Sequence, residues 1–166
     1  MSHSNPHLFF LSEHFTLLEA TKSQTASRLS LDNTPPSNLI PQLIRSAHIL
    51  ERIRTLLGYP ISPSSWYRSP ALNSSIGGAK NSQHMEGTAV DFDCDRYGTP
   101  LQICQEILKY PELIRFEQLI LEHTWVHISI PNDPSAVPKR QVLSLLRGGK
   151  YASGLTNSNG VLHGSV

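Results

Sequence analysis

Apolar and polar residues alternate along this chain with two different periods. From Ser37 to Leu57, Leu39, Leu43, Ala47, Leu50 and Leu57 recur at helical spacing. Ile40, Ile44 and Ile53 widen that stripe, and Arg45, Glu51, Arg52 and Arg54 fall off it. A long helix is therefore expected over 37–57, with Ser37 as its cap and Gly58 as its stop. A first helix is expected over 12–22, carrying the Thr16–Glu19 capping-box pattern, and 24–36 reads as loop closed by Pro35-Pro36. Residues 60–68 suit an extended segment, and 70–76 a short helix ended by Gly77-Gly78. Residues 77–87 are glycine-rich and polar, hence loop. From Thr88 to Asp93 the period changes to two: Val90 and Phe92 face one way, Asp91 and Asp93 the other. This predicts a half-buried strand with carboxylates on its polar side. Thr99-Pro100 opens a helix to about Tyr110, with the cap followed by proline at the first position. Residues 118–122 and 125–130 read as a hairpin with only His123-Thr124 between them, and 139–147 as a last strand before Gly148-Gly149.

Helices thus come first, and most strands come late and in succession. That order predicts an α+β fold, helices followed by a small, mainly antiparallel sheet. A single domain is expected over 8–155, followed by a flexible tail over 156–166. The length of 166 residues suits one domain able to bury a core without disulfides. Net charge is +1, and no basic cluster interleaves with aromatics, which excludes a nucleic-acid sleeve. No run reaches the roughly 18 apolar residues of a membrane span, and the N-terminal residues lack the pattern of a signal peptide. Synthesis in the cytoplasm is expected. Cys94 and Cys104 are expected to be free thiols, since two cysteines do not make a disulfide scaffold.

Eight histidines against 14 Lys+Arg are conspicuous, because histidine is the commonest metal ligand. Two segments concentrate the chemistry: Ser82 to Asp91 (SQHMEGTAVD) and Glu122 to His127 (EHTWVH). A catalytic zinc takes three protein ligands and keeps one position open. His84 lies in the loop before the carboxylate-bearing strand, Asp91 on that strand, and His127 on a strand of the hairpin. The mixed imidazole and carboxylate set suits Zn²⁺ better than Mg²⁺ or Ca²⁺. Asp93 or Asp95 could replace Asp91, and H-x6-D alone is a weak pattern.

With its S-x-H-x-x-G-x-A-x-D pattern and the later W-x-H, the chain resembles the M15 family of zinc D-alanyl-D-alanine peptidases, which share a fold with the hedgehog signalling domain. The segments LSEHFTLLE, DNTPP, SWYRSPALN and GGAKNSQH resemble the branch holding phage and prophage cell-wall enzymes, and the similarity runs from about Leu11 to about Leu155. The resemblance implies one catalytic Zn²⁺ held by His84, Asp91 and His127. It implies Glu122 as catalytic base, with His123 and Glu86 in reserve, and Arg68 facing the substrate and the developing oxyanion. Ser82 and Gln83 would bind substrate or steady their loop, and Trp125 would line the cleft or pack as an ordinary aromatic. The implied substrate is the peptidoglycan stem peptide, cut at a D-Ala-D-Ala, cross-bridge or L-Ala-D-Glu bond, by a carboxypeptidase or an endopeptidase. A monomer is expected, reaching the wall after phage-type release or on a virion. The alternative is a peptidoglycan-binding or virion structural protein that keeps the fold without catalysis.

Overall fold

The computed structural model describes residues 9–157 and residue 160. Two short helices, α1 (Leu17–Thr21) and α2 (Gln24–Arg28), lead through a 3-10 turn (Ser37–Leu39) into α3 (Ile40–Leu57). Strand β1 (Ser62–Ser65), helix α4 (Pro70–Ser75) and a second 3-10 turn (Gln83–Glu86) precede β2 (Ala89–Asp93). Helix α5 (Pro100–Leu108) follows, then β3 (Gln118–Leu121), β4 (Val126–Ser129), β5 (Gln141–Leu145) and β6 (Tyr151–Ser153). The strands form one six-stranded sheet in the order β1-β2-β4-β3-β5-β6. Every pairing is antiparallel except that of β3 with β5. The fold is α+β, as the order of elements predicts.

Each face of the sheet has its own chemistry. Val90, Phe92, Leu119, Val126 and Ile128 turn to one side and are fully or almost fully buried with Leu43, Ala47, Leu50 and Ile53 of α3 and Ile103 and Ile107 of α5. Burying each such large apolar side chain is worth roughly 1.5–3 kcal/mol, so this layer supplies the main driving force. On the opposite face the register aligns Asp91, His127, Ile120 and Leu143 across four neighbouring strands. A second row joins Ala89, Ser129, Gln118 and Gln141.

Several expectations shift. The first helix is confined to Leu17–Thr21, because Thr16 itself is the extended N-cap and its capping box with Glu19 starts the helix there. Ahead of it, Phe15 enters the core, and Ser12 Oγ and the His14 N–H both donate to Glu51, which holds 12–14 out of helical geometry. The expected loop 24–36 contains α2, a five-residue turn capped by Ser23 that buries only Ala26 and so has no apolar period to read. Ser37 begins a 3-10 turn rather than capping α3, while Gly58 ends α3 in the left-handed conformation. The expected loop 77–87 contains the 3-10 turn at Gln83–Glu86. β2 is not half-buried: it lies between β1 and β4, and Asp91 is only 6% exposed. The hairpin turn spans Glu122 to Trp125, closed by the Glu122 N–H donating to the Trp125 carbonyl. The last expected strand is only β5, which turns through Gly148-Gly149 into the unexpected β6. Thr156, at the start of the expected tail, is buried and its N–H donates to Ser144 Oγ; residues 158, 159 and 161–166 lie outside the described residues. Cys94 and Cys104 are both free and buried, and burial pushes the Cys104 thiol up to about 12.

Gly87 is the hinge between the loop and β2. It sits at φ 70°, and a Cβ there would lie 2.9 Å from Leu43 Cδ2. A side chain in left-handed geometry costs about 1–2 kcal/mol before any clash. Gly87→Ala is therefore expected to destabilise the protein by at least that amount, read as a lowered urea midpoint with unchanged slope.

Candidate metal centre and groove

The centre forms where β2, β4 and the Gln83–Glu86 turn meet on the open face. Ser82 starts the turn, its hydroxyl accepting from the His84 N–H, and Gly87 ends it, so His84 is aimed inward rather than to solvent. His84 is 3% exposed. Its Nδ1 lies 2.7 Å from the Trp66 carbonyl oxygen, which can only accept, so the ring proton is on Nδ1 and Nε2 carries a lone pair. Trp66 is fixed in turn by the core: its indole N–H donates to Ser46 Oγ on α3, and Ser46 Oγ donates to the Gly87 carbonyl.

Asp91 is the hub. Its Oδ1 accepts from His127 Nδ1 at 2.8 Å and faces His84 Nε2 at 3.4 Å. Its Oδ2 pairs with Arg68 Nη2 at 3.2 Å. Burial alone would raise the Asp91 pKa; the N–H and charge of His127 outweigh it and hold the carboxyl below its ordinary value. Burial pushes His84 the other way, below the ordinary imidazole value, against the attraction of Asp91. A neutral His84 and an ionised Asp91 therefore turn lone pairs toward each other at 3.4 Å. That contact is repulsive unless a cation lies between the two. Ligand atoms of His84, Asp91 and His127 lie within 4.8 Å of one another, and the three could hold a metal ion. An imidazole that donates its second N–H to a backbone carbonyl is the usual support of a metal-binding histidine. The donor set fits zinc. Asp93 and Asp95 do not join this group.

The centre opens into a groove of about 890 Å³. Arg68, Ser82, Gln83, Glu122 and Trp125 all line it, along with the three clustered residues. Glu122 is half-buried in the wall; burial, then the charge of Asp91, raises its pKa above the ordinary carboxylate value. His123 lines a separate small cavity beside Thr99 and Leu145, and Glu86 is exposed outside the groove. Of the three candidates for base, only Glu122 faces the centre. Gln83 is committed to the protein: its amide donates to the Ile130 carbonyl and to Asn132, tying the loop to the end of β4. Trp125 lines the groove with its buried indole N–H unpartnered among the described residues.

Two buried asparagines that sequence reasoning passed over hold Arg68 in place. Asn33 bridges Thr21, Tyr67 and Ser69 around the arginine's backbone. Asn73 accepts from Arg68 Nη1 and donates to the Ala79 carbonyl on the groove rim. Asn73 lies within the SWYRSPALN segment, so its neighbourhood was visible; Asn33 in DNTPP carries no local signal beyond turn chemistry.

A buried His/Asp/His cluster on an open sheet face, with a carboxylate on the wall of the same groove, has the make-up of a metallopeptidase centre. The sequence model of the peptidase M15 family matches residues 13–129, and the chain belongs to that family. A comparison with curated proteins finds no match.

The two lowered pKa values at this centre set an acid response for the metal-free protein. His84 has a depressed folded-state pKa, so stability starts to fall as pH drops below the unfolded histidine value of about 6.5. Asp91 is depressed too, so its stabilising contribution, present above about pH 3.9, is lost as pH falls further. Urea melts of chelator-treated protein from pH 7.5 down to about pH 2 should show this decline in two stages. His84→Gln should flatten the upper stage.

Proposed function

We propose that the protein is a zinc peptidase that hydrolyses amide bonds in the D-amino-acid-containing stem peptide of peptidoglycan. The observation that carries the reading is the pair of lone pairs, His84 Nε2 and Asp91 Oδ1, converging on the floor of a groove that also holds Glu122. His84, Asp91 and His127 would hold the ion. Zinc in such a site polarises a carbonyl and makes water acidic enough to attack near neutral pH.

The chain's own residues do the rest. Glu122, with its raised proton affinity, takes the proton from the attacking water and delivers it to the leaving amine. Arg68 spends Nε on Ser65, Nη1 on Asn73 and Nη2 on Asp91. A guanidinium has five N–H groups, so two remain to meet the negative charge that develops on the carbonyl oxygen. Asn33 and Asn73 hold that cation before substrate arrives, which spares the reaction its reorganisation. Ser82 and Gln83 act mainly as supports, setting the turn that aims His84. Trp125 offers its ring to the bound peptide.

The test is mass spectrometry of muropeptides digested by the zinc-loaded protein, which reports activity and the bond cut together. Glu122→Gln should retain one zinc per chain by elemental analysis and lose about 10²–10⁴ in kcat, the usual contribution of a general base. His84→Ala should lose the metal as well. Full cleavage by Glu122→Gln would remove Glu122 as the base. Zinc-loaded wild-type protein that cleaves no bond in purified sacculi would leave a binding or structural role for the fold.

A further inference from the structure

The groove extends well beyond the metal centre, and one wall of it comes from outside the family-matched segment. That match ends at Ser129. Gln141 and Leu143 of β5, Tyr151 of β6, and Val137 and Lys139 of the connection before β5 all line the groove. From His127 on β4 the open face continues over Ile120 on β3 and Leu143 on β5 to β6 at the sheet edge. Three inter-strand steps of about 4.8 Å make this reach about 14 Å. That is room for roughly four residues of extended peptide.

The chemistry of the surface suits a peptide main chain. Ile120 and Leu143 give an apolar floor. Gln118 and Gln141 face each other in register and share one hydrogen bond of 2.7 Å between their side-chain amides. One amide carbonyl and one amino group of the pair remain for a ligand, the donor and acceptor that a peptide unit requires. The Tyr151 hydroxyl makes no hydrogen bond among the described residues, and the residue is 53% exposed. Its phenol pKa is raised by burial and then by the charges of Glu122 and Asp91, which places the ring within their field. The charges on this side have partners within the protein: Lys139 pairs with Glu117 at 3.0 Å, and Asp133 accepts from Ser135 and lies in the field of Arg45. A wall with paired charges and spare neutral hydrogen-bonding groups selects an uncharged main chain rather than a chain-terminal carboxylate or amine.

We propose that the β3–β5–β6 face is an extended-peptide subsite, in which the Gln118–Gln141 amides and the Tyr151 hydroxyl bind the substrate main chain running away from the scissile bond. The inference rests on the peptidase reading and adds the part of the chain that sets substrate length. A non-cleaving Glu122→Gln protein allows binding to be measured by calorimetry. The probes are a stem pentapeptide, each of its blocked dipeptide fragments, and a dipeptide fragment still carrying its disaccharide. The pentapeptide is expected to bind at least tenfold more tightly than any dipeptide. Adding Tyr151→Phe or Gln141→Leu should each remove about fivefold to tenfold of that advantage, the value of one neutral hydrogen bond. Both side chains are exposed, and circular dichroism with zinc analysis verifies that fold and centre persist in each variant. Equal affinity for long and short peptides overturns the subsite, as does an advantage that the disaccharide alone confers or that neither variant changes. If wild type cleaves muropeptides while long and short peptides bind alike, the subsite fails and the peptidase reading stands. If nothing is cleaved yet the length advantage persists and the variants erase it, the peptidase reading fails and the subsite stands.

Discussion

A carboxylate buried to 6% exposure is the constraint around which this molecule is arranged. Asp91 sits on a central strand, where an unpaired charge would cost several kcal/mol in desolvation. The protein answers with an arginine on one oxygen and the His127 N–H on the other, which also faces the His84 lone pair. Each of those partners needs its own support. Arg68 depends on Ser65, Asn73 and the Asn33 bridge, and His84 depends on the carbonyl of Trp66. Trp66 is locked through Ser46 to the helix that forms the core. Packing of α3 against the sheet is thus coupled, through two successive hydrogen bonds, to the orientation of a ring on the far side.

Much of this could be read from the residues alone, and what could not has definite causes. The long helix showed itself because a stripe of seven buried positions repeats at helical spacing. The Thr16 and Thr99 caps were legible because capping is local chemistry, settled within four residues. The cluster of His84, Asp91 and His127 came from the resemblance to the M15 pattern; its burial did not, since alternation in 88–93 reads as one wet face unless the loop that covers it is known. β6 and α2 escaped because three to five residues hold no complete period. Asn33, which braces the backbone around Arg68, escaped for a different reason. Its partners are 12 to 36 residues away, and nothing in one sequence marks such pairings.

The division of labour along the chain follows the same logic. Elements that carry charge toward the centre lie within 13–129 and are cross-braced by buried hydrogen bonds. The strands that extend the groove pair only at the sheet's edge, with β6 attached through β5 alone. Changes at the groove-facing Gln141, Leu143 and Tyr151 leave intact the hydrogen bonds that orient His84, so those positions are free to vary while the centre is held.

The two thiols have a consequence of their own. Cys94 and Cys104 are shut away from solvent, and a thiol pushed up to about 12 has almost no thiolate at neutral pH. Without thiolate there is little to oxidise, alkylate or exchange. Both thiols serve as small apolar groups of the core, and neither belongs to the metal centre, so an oxidant in the surroundings meets no ready sulfur there.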